Sequence, residues 1–304
     1  MIGSLPKLAL PKPADWGFGM TVCIAGIADE GKAIITIADR KVALPTISAD
    51  DAMEKIDPIH HNWGAMVAGM DITHAIPIWD RIRELLGYEQ RSGKRAEEQT
   101  LSMITGTCTK AFQEHRRQIL SDIYLSSYGI DMQTFLTDGR RLFGATVFAQ
   151  MCNQISTHEM QCEFLVAGFD EKGAPHIFTV DDPGVARVYD SVSFWAIGSG
   201  QQLALSSLMF GGYLGVDWDL DIYDLCAAKF MAEKEPHVGV STFLIAHRFN
   251  VVPCYLIDED ISKIKCEWEM AGKPRRPSGI DQFVKKLHLI PISEDPPGEK
   301  ITDT

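Results

Sequence analysis

No apolar run in the chain approaches the ~18 residues of a membrane-spanning helix, and this absence argues against a membrane protein. The N-terminal stretch LPKLALPKP is broken by three prolines, which makes it a poor signal peptide. The seven cysteines are odd in number and none forms a CxxC pair, so neither a disulfide framework nor a zinc site is signalled. Reduced thiols in a cytoplasm fit that usage best. Basic charge is scarce as well. Lys and Arg total 29 against 41 Asp and Glu, a net charge of -12, which makes nucleic acid or an anionic membrane a poor partner. The one basic run, from Lys273 to Arg276, is short and reads as a solvated tail. Nothing resembles a Walker loop, and the GSGQQL piece at Gly198 lacks the third glycine of a dinucleotide fingerprint. No cofactor and no metal are expected, and no internal repeat is visible.

What remains is an ordinary globular composition, 45% hydrophobic and 23% charged over 304 residues. Residues 1–20 form a Pro- and Gly-rich leader. Two alternating apolar runs, VCIAGIA and AIITIA, flank a turn at Asp29-Glu30-Gly31 and predict a hairpin over 21–38. Val42–Ser48 reads as a short extended piece, and WGAMVAG ends a further strand at Gly69. Apolar residues spaced by three and four predict helices over Asp71–Leu86 and Ala96–Leu125. Met132–Gln154 reads as another helix, interrupted by Gly139 and Gly144. A second hairpin, CEFLVAGFD and APHIFTVDD, is followed by strands at Val185–Tyr189 and Ser193–Ile197. Helices are expected from Gln201 and over Asp219–Ala232, and closing strands over Gly239–His247 and Val251–Ile257. From about Ala271 proline and charge dominate, which predicts disorder. Hairpins alternating with paired helices suit an α+β architecture of two antiparallel sheets stacked face to face with outer helix layers. The expected division is a leader (1–20), one domain (21–270) and a tail (271–304).

The stretch from Thr21 to Gly69 carries the functional signal. It holds Thr21, an apolar strand, the turn at Gly31, a second strand ending in Ala38-Asp39-Arg40, then Lys55-Ile56, then Ala68-Gly69. This series resembles the start of a mature proteasome β-type subunit, including the bacterial proteasome-like members, in the N-terminal nucleophile hydrolase family. From Thr21 to Gly31 the spacing is family-like. From Asp39 onward the landmarks share one offset of about two residues, which one lengthening of the second strand explains. The later FLVAGFDEKGAPHIFTVDDPG resembles the family's central hairpin, and FWAIGSG the strand and turn before its third helix. The resemblance covers roughly Thr21 to His247. It implies the four-layer αββα sandwich of that family. The segment from Gly87 to Gln161 is longer than the family's usual helix connection.

A threonine hydroxyl is a weak nucleophile until a base removes its proton. As a first residue, Thr21 has its own α-amine for that work, since an α-amine titrates near ~8. Lys55 is the candidate cation, Asp39 the carboxylate that orients it, and the Gly69 amide the candidate oxyanion donor. By the resemblance, Ser199 and Gly200 form the turn beside the nucleophile and support it. The family also places an Asp and a Ser before its late strand. Here that region runs from Glu233 to Ser241 without an Asp, and neither Glu235 nor Ser241 is assigned the role. Taken singly, each of these residues has an ordinary reading as a strand, surface or turn residue. Cys23 is a weaker alternative nucleophile. His60 and His61 lie in a turn before a strand, and adjacent residues of a strand point to opposite sides, which disfavours a shared metal. His237, His247, Trp63, Trp79 and Trp195 read as structural.

Thr21 needs a free amine, and 20 residues precede it. Self-cleavage at Met20-Thr21 would expose it, though a Met stands where the family has glycine. Translation starting at Met20, followed by Met removal, is the favoured route. Retention of the leader would leave an inactive scaffold. The expectation is a cytoplasmic threonine-type peptidase or amide hydrolase that acts on peptides or unfolded chains. The resemblance implies assembly into a homo-oligomeric ring, with no unfoldase partner identifiable. The alternatives are the inactive scaffold and a small-molecule amide acylase.

Overall fold

The computed structural model describes residues 21–44, 47–49, 55–87, 99–270, 279–287 and 289–291. The leader (1–20) and much of the tail therefore lie outside the described residues. In chain order, β1 (Cys23–Ala28) and β2 (Ala33–Asp39) form the first hairpin, followed by the short pair β3 (Val42–Leu44) and β4 (Ile47–Ala49). Next come β5 (Ile56–His60) and β6 (Trp63–Gly69), then α1 (Ala75–Leu86), α2 (Leu101–Tyr124) and α3 (Met132–Thr157). A second run of strands comprises β7 (Cys162–Phe169), β8 (Pro175–Asp181), β9 (Val185–Val188) and β10 (Phe194–Ile197). The chain continues with α4 (Gln201–Gly211), α5 (Trp218–Ala232), β11 (Thr242–Arg248), β12 (Cys254–Leu256), α6 (Asp258–Met270), α7 (Ile280–Val284) and β13 (Leu289–Pro291). No helix among the described residues is long and apolar enough to cross a membrane.

The strands build two antiparallel sheets, in the orders β10-β1-β2-β11-β12-β13 and β5-β6-β7-β8-β9. Every residue of β1 and β2 is buried, because this hairpin lies inside its sheet and is covered on both faces. Alternation assigns the faces. Ile24, Ile35 and Ile37 join Leu225, Ala228 and Phe230 of α5 in the outer core. Cys23, Ala25, Ile34 and Ala38 meet Met66, Leu165 and Phe169 between the sheets. A third core lies beneath α1 and α2, where Trp79 and Phe112 pack on Phe164 and Val166 of β7. The result is the expected αββα sandwich.

The central helix expected over Met132–Gln154 is α3, which is broken at Gly144 (φ 76°). With α2 it forms a small core of its own around Leu125, Phe135 and Met151, which accounts for the extra length of that segment. Two features depart from the sequence reading. The helix α6 was not anticipated, although Ile261, Ile264 and Trp268 fall on one stripe and are buried. The region after Ala271 was expected to be disordered throughout. Instead Ile280 and Val284 of α7 are buried in the outer core and β13 pairs with β12. Three apolar residues within five positions suffice for one amphipathic turn, and the surrounding proline and charge hide that signal.

Candidate active site

The site lies at the open end of the β1–β2 hairpin. Thr21 immediately precedes β1 and is 1% exposed, Asp39 closes β2 at 0%, and Lys55 stands just before β5 at 1%. The structure brings these three together although 34 residues separate the first from the last. Lys55 Nζ donates to Thr21 Oγ1 at 2.5 Å and to Asp39 Oδ1 at 3.0 Å. The Thr21 hydroxyl also donates to Asp39 Oδ1. The remaining capacity of Asp39 is taken by backbone amides. Val22 N–H donates to Oδ1 at 2.9 Å, and Lys41 and Gly239 N–H each donate to Oδ2 at 3.1 Å. A carboxylate this deep is tolerable only when its lone pairs are filled and a cation lies alongside, and both conditions hold.

The Gly198–Gly200 turn closes one side. Thr21 N–H donates to Ser199 Oγ at 3.3 Å, while Ser199 Oγ–H and Gly200 N–H each donate to the Thr21 carbonyl at 3.2 Å. A Cβ on Gly198 (φ 91°) would stand 2.4 Å from that carbonyl, so the glycine is what lets the turn press against Thr21.

Gly69 ends β6 at φ 148°, where a Cβ would stand 2.2 Å from the Gln161 carbonyl. The Val67 amide donates to Lys55 O on the β5 edge of the strand. By the two-residue repeat, the Gly69 amide points to the same edge, beyond the first residue of β5. Its donor is thus aimed towards the end of the sandwich that holds Lys55 and Thr21. A cavity of about 410 Å³ adjoins it, lined by Gly69, Glu163, Asp181, Asp182, Gly198 and Ser199 among others. Sequence reasoning missed Glu163. It shares the inter-sheet parity of Leu165 and Ala167 on β7, and burial, with Asp181 nearby, pushes its carboxyl up to about 7. An acidic residue at an inward position of an otherwise apolar strand was the available signal.

The remaining candidates are placed elsewhere. Cys23 is fully buried inside the sheet, where its thiol donates to the Val67 carbonyl and burial pushes its pKa up to about 12. That environment keeps the thiol protonated and does not suit a nucleophile. Glu235 pairs with His237 at 2.9 Å, and neither bonds to Thr21. The Gly239 amide, not an acidic side chain, is what this loop contributes to Asp39. Trp63 and Trp79 are core residues, and Trp195 stacks on Tyr189 at 3.7 Å. His247 packs edge-on against Phe169, and burial lowers its pKa to about 4. Among the described residues, no group of three or more His, Cys, Asp or Glu is arranged to hold a metal ion.

The model of the proteasome subunit family matches residues 137–209. Over that stretch the chain is similar to proteasome subunits. The matched stretch runs from α3 through β7–β10 into α4 and includes the Ser199 turn, while Thr21, Asp39, Lys55 and Gly69 all precede it. No curated protein matches the chain.

Proposed function

We propose that this chain is a proteasome-like threonine-type peptidase or amide hydrolase whose nucleophile is Thr21, presented as the first residue of the working chain. The observation that carries this reading is the buried contact of Thr21 Oγ1 with Lys55 Nζ at 2.5 Å, with Asp39 bonded to both. The Lys55 cation stabilises negative charge developing on Oγ1, and Asp39 holds the cation in place. The freed α-amine of Thr21, next to Ser199 Oγ, removes the hydroxyl proton. Oγ1 adds to the amide carbonyl, and the Gly69 amide receives the oxyanion. The C–N bond then breaks as the leaving amine takes up a proton, which leaves an ester on Thr21. Water cleaves that ester and returns the enzyme.

On this reading residues 1–20 are a leader absent from the active form, and 21–270 contain the catalytic domain. Peptides or unfolded chains are the substrates, and a cytoplasmic homo-oligomeric ring is the assembly. Intact-mass measurement of the purified protein, paired with a peptide-amide hydrolysis assay, tests it. Active protein should have a mass beginning at Thr21, and Thr21→Ala should abolish turnover. A mass beginning at Met1 with no hydrolysis would identify an inactive scaffold subunit instead. Turnover of small acyl amides but not peptides would identify an acylase.

A further inference from the structure

Lys229 sits in the last turn of α5 and is 0% exposed, a position where a charged side chain must be matched by neighbours. Its ammonium donates to Glu233 Oε1 at 2.5 Å and to the Gly239 and Val240 carbonyls at 3.0 Å each. All three donor positions of the ammonium are thereby used. Glu233 is held from its other side by Lys265 of α6 at 2.6 Å. The turn that Lys229 grips is the one whose Gly239 amide donates to Asp39 Oδ2 at 3.1 Å. By alternation Asp39 lies on the side of Ile35 and Ile37, which pack beneath α5. A continuous buried path thus runs from α6 through Glu233, Lys229 and Gly239 to Asp39, and from Asp39 to Lys55 and Thr21.

We propose that Lys229 is a positioning residue for the Thr21–Asp39–Lys55 group, fixing the Gly239–Val240 turn so that its amide holds the Asp39 carboxylate. This rests on the function proposed above for its catalytic consequence, but its structural part stands independently. Lys229 thus supports the Glu233–Ser241 loop, in which no side chain was assigned a role at the site. An ion pair serving helix stability alone would need only Glu233, four residues on at the C-cap of α5. The two additional carbonyl bonds have no such purpose. The positive charge also acts directly on Asp39 across the turn.

The test uses Lys229→Met and, because Glu233 would otherwise be left short of a partner, the double variant Lys229→Met with Glu233→Gln. Hydrogen–deuterium exchange on the full chain should show the Gly239 amide exchanging at least about tenfold faster, with the β1–β2 amides unchanged. Exchange at Gly239 equal to the parent, or a uniform rise across all amides, would overturn the proposal. In the form that hydrolyses amides, kcat should fall by about tenfold or more while KM stays within about twofold, since the attacking group and not the substrate is misplaced. The acidic limb of the kcat/KM profile should also move to higher pH, because losing a nearby cation favours protonation of the Thr21 amine. An unchanged kcat and an unmoved limb would again overturn it. If neither parent nor Thr21→Ala hydrolyses any amide, the proposed function fails, and the exchange experiment still decides the role of Lys229.

Discussion

On the proposed function, Lys55 is the residue at which chemistry and stability are most tightly joined. Its ammonium is buried and bonded to Asp39 and Thr21. Lys55→Met leaves Asp39 with its three amide donors but without the cation bonded to it, and breaking a buried pair costs about 3–5 kcal/mol. We expect hydrolysis to fall by about 10²-fold or more, and calorimetry to record a lower Tm in the same variant. Gly69 isolates backbone from charge. Gly69→Ala puts a Cβ 2.2 Å from the Gln161 carbonyl at a φ of 148°, so β6 and β7 must separate locally. A loss of about 1–3 kcal/mol in urea unfolding is expected. At this scale much was legible. Thr21, Asp39, Lys55, Gly69 and Ser199 were named through the resemblance to the start of a proteasome β-type subunit, and the structure brings Thr21, Asp39, Lys55 and Ser199 into contact. Lys229 could not be named, because within a helix a lysine four residues before a glutamate reads as a solvated pair, and only the fold turns that face inward.

At the scale of elements, legibility follows periodicity. The β1–β2 and β7–β8 hairpins are long, apolar and separated by clear turns, and they lie where the sequence puts them. The helix α6 opens with Asp258, Glu259 and Asp260, so its apolar stripe is thin and was overlooked. Strand β7 shows how one residue can tie an element to pH. The folded-state value of about 7 at Glu163 lies above that of an unfolded glutamate, so the folded chain holds an extra proton between roughly pH 4.3 and 7. The associated stability is complete below that window and is lost as pH rises through it. On β11, His247 works in the opposite direction. Its value of about 4 lies below that of a free imidazole, so its contribution is complete above roughly pH 6.5 and is lost as pH falls towards 4. Glu163→Gln should therefore flatten the decline in urea stability between about pH 4.5 and pH 7 and leave the slope above about pH 8 unchanged. An equal slope in parent and variant across that range would count against the burial of this carboxyl as its cause.

For the whole molecule, the decisive question is where the folded unit ends. Composition drew a boundary at Ala271, because proline and charge signal disorder only on average and cannot register a single docked turn. Beyond that boundary Ile280 is 4% exposed and Val284 4%, both packed in the outer core with Ile222 of α5 and Leu256 of β12. Beneath α7, a pocket lined by Trp218, Ile222, Leu256 and Val284 marks where the contact is made. Strand β13 adds a ladder to β12, which would otherwise be the edge of its sheet. Fully burying an aliphatic side chain of this size is worth about 1.5–3 kcal/mol, so losing the two together removes several kcal/mol less the cost of ordering the segment. Comparing residues 21–270 with residues 21–304 by urea unfolding should therefore show a lower midpoint for the shorter chain. Because α5 carries both the surface that α7 covers and the Lys229 that reaches towards Asp39, the shorter chain should also exchange faster at the Gly239 amide. Equal midpoints would mean that α7 contributes no net stability, and the domain would then end at α6.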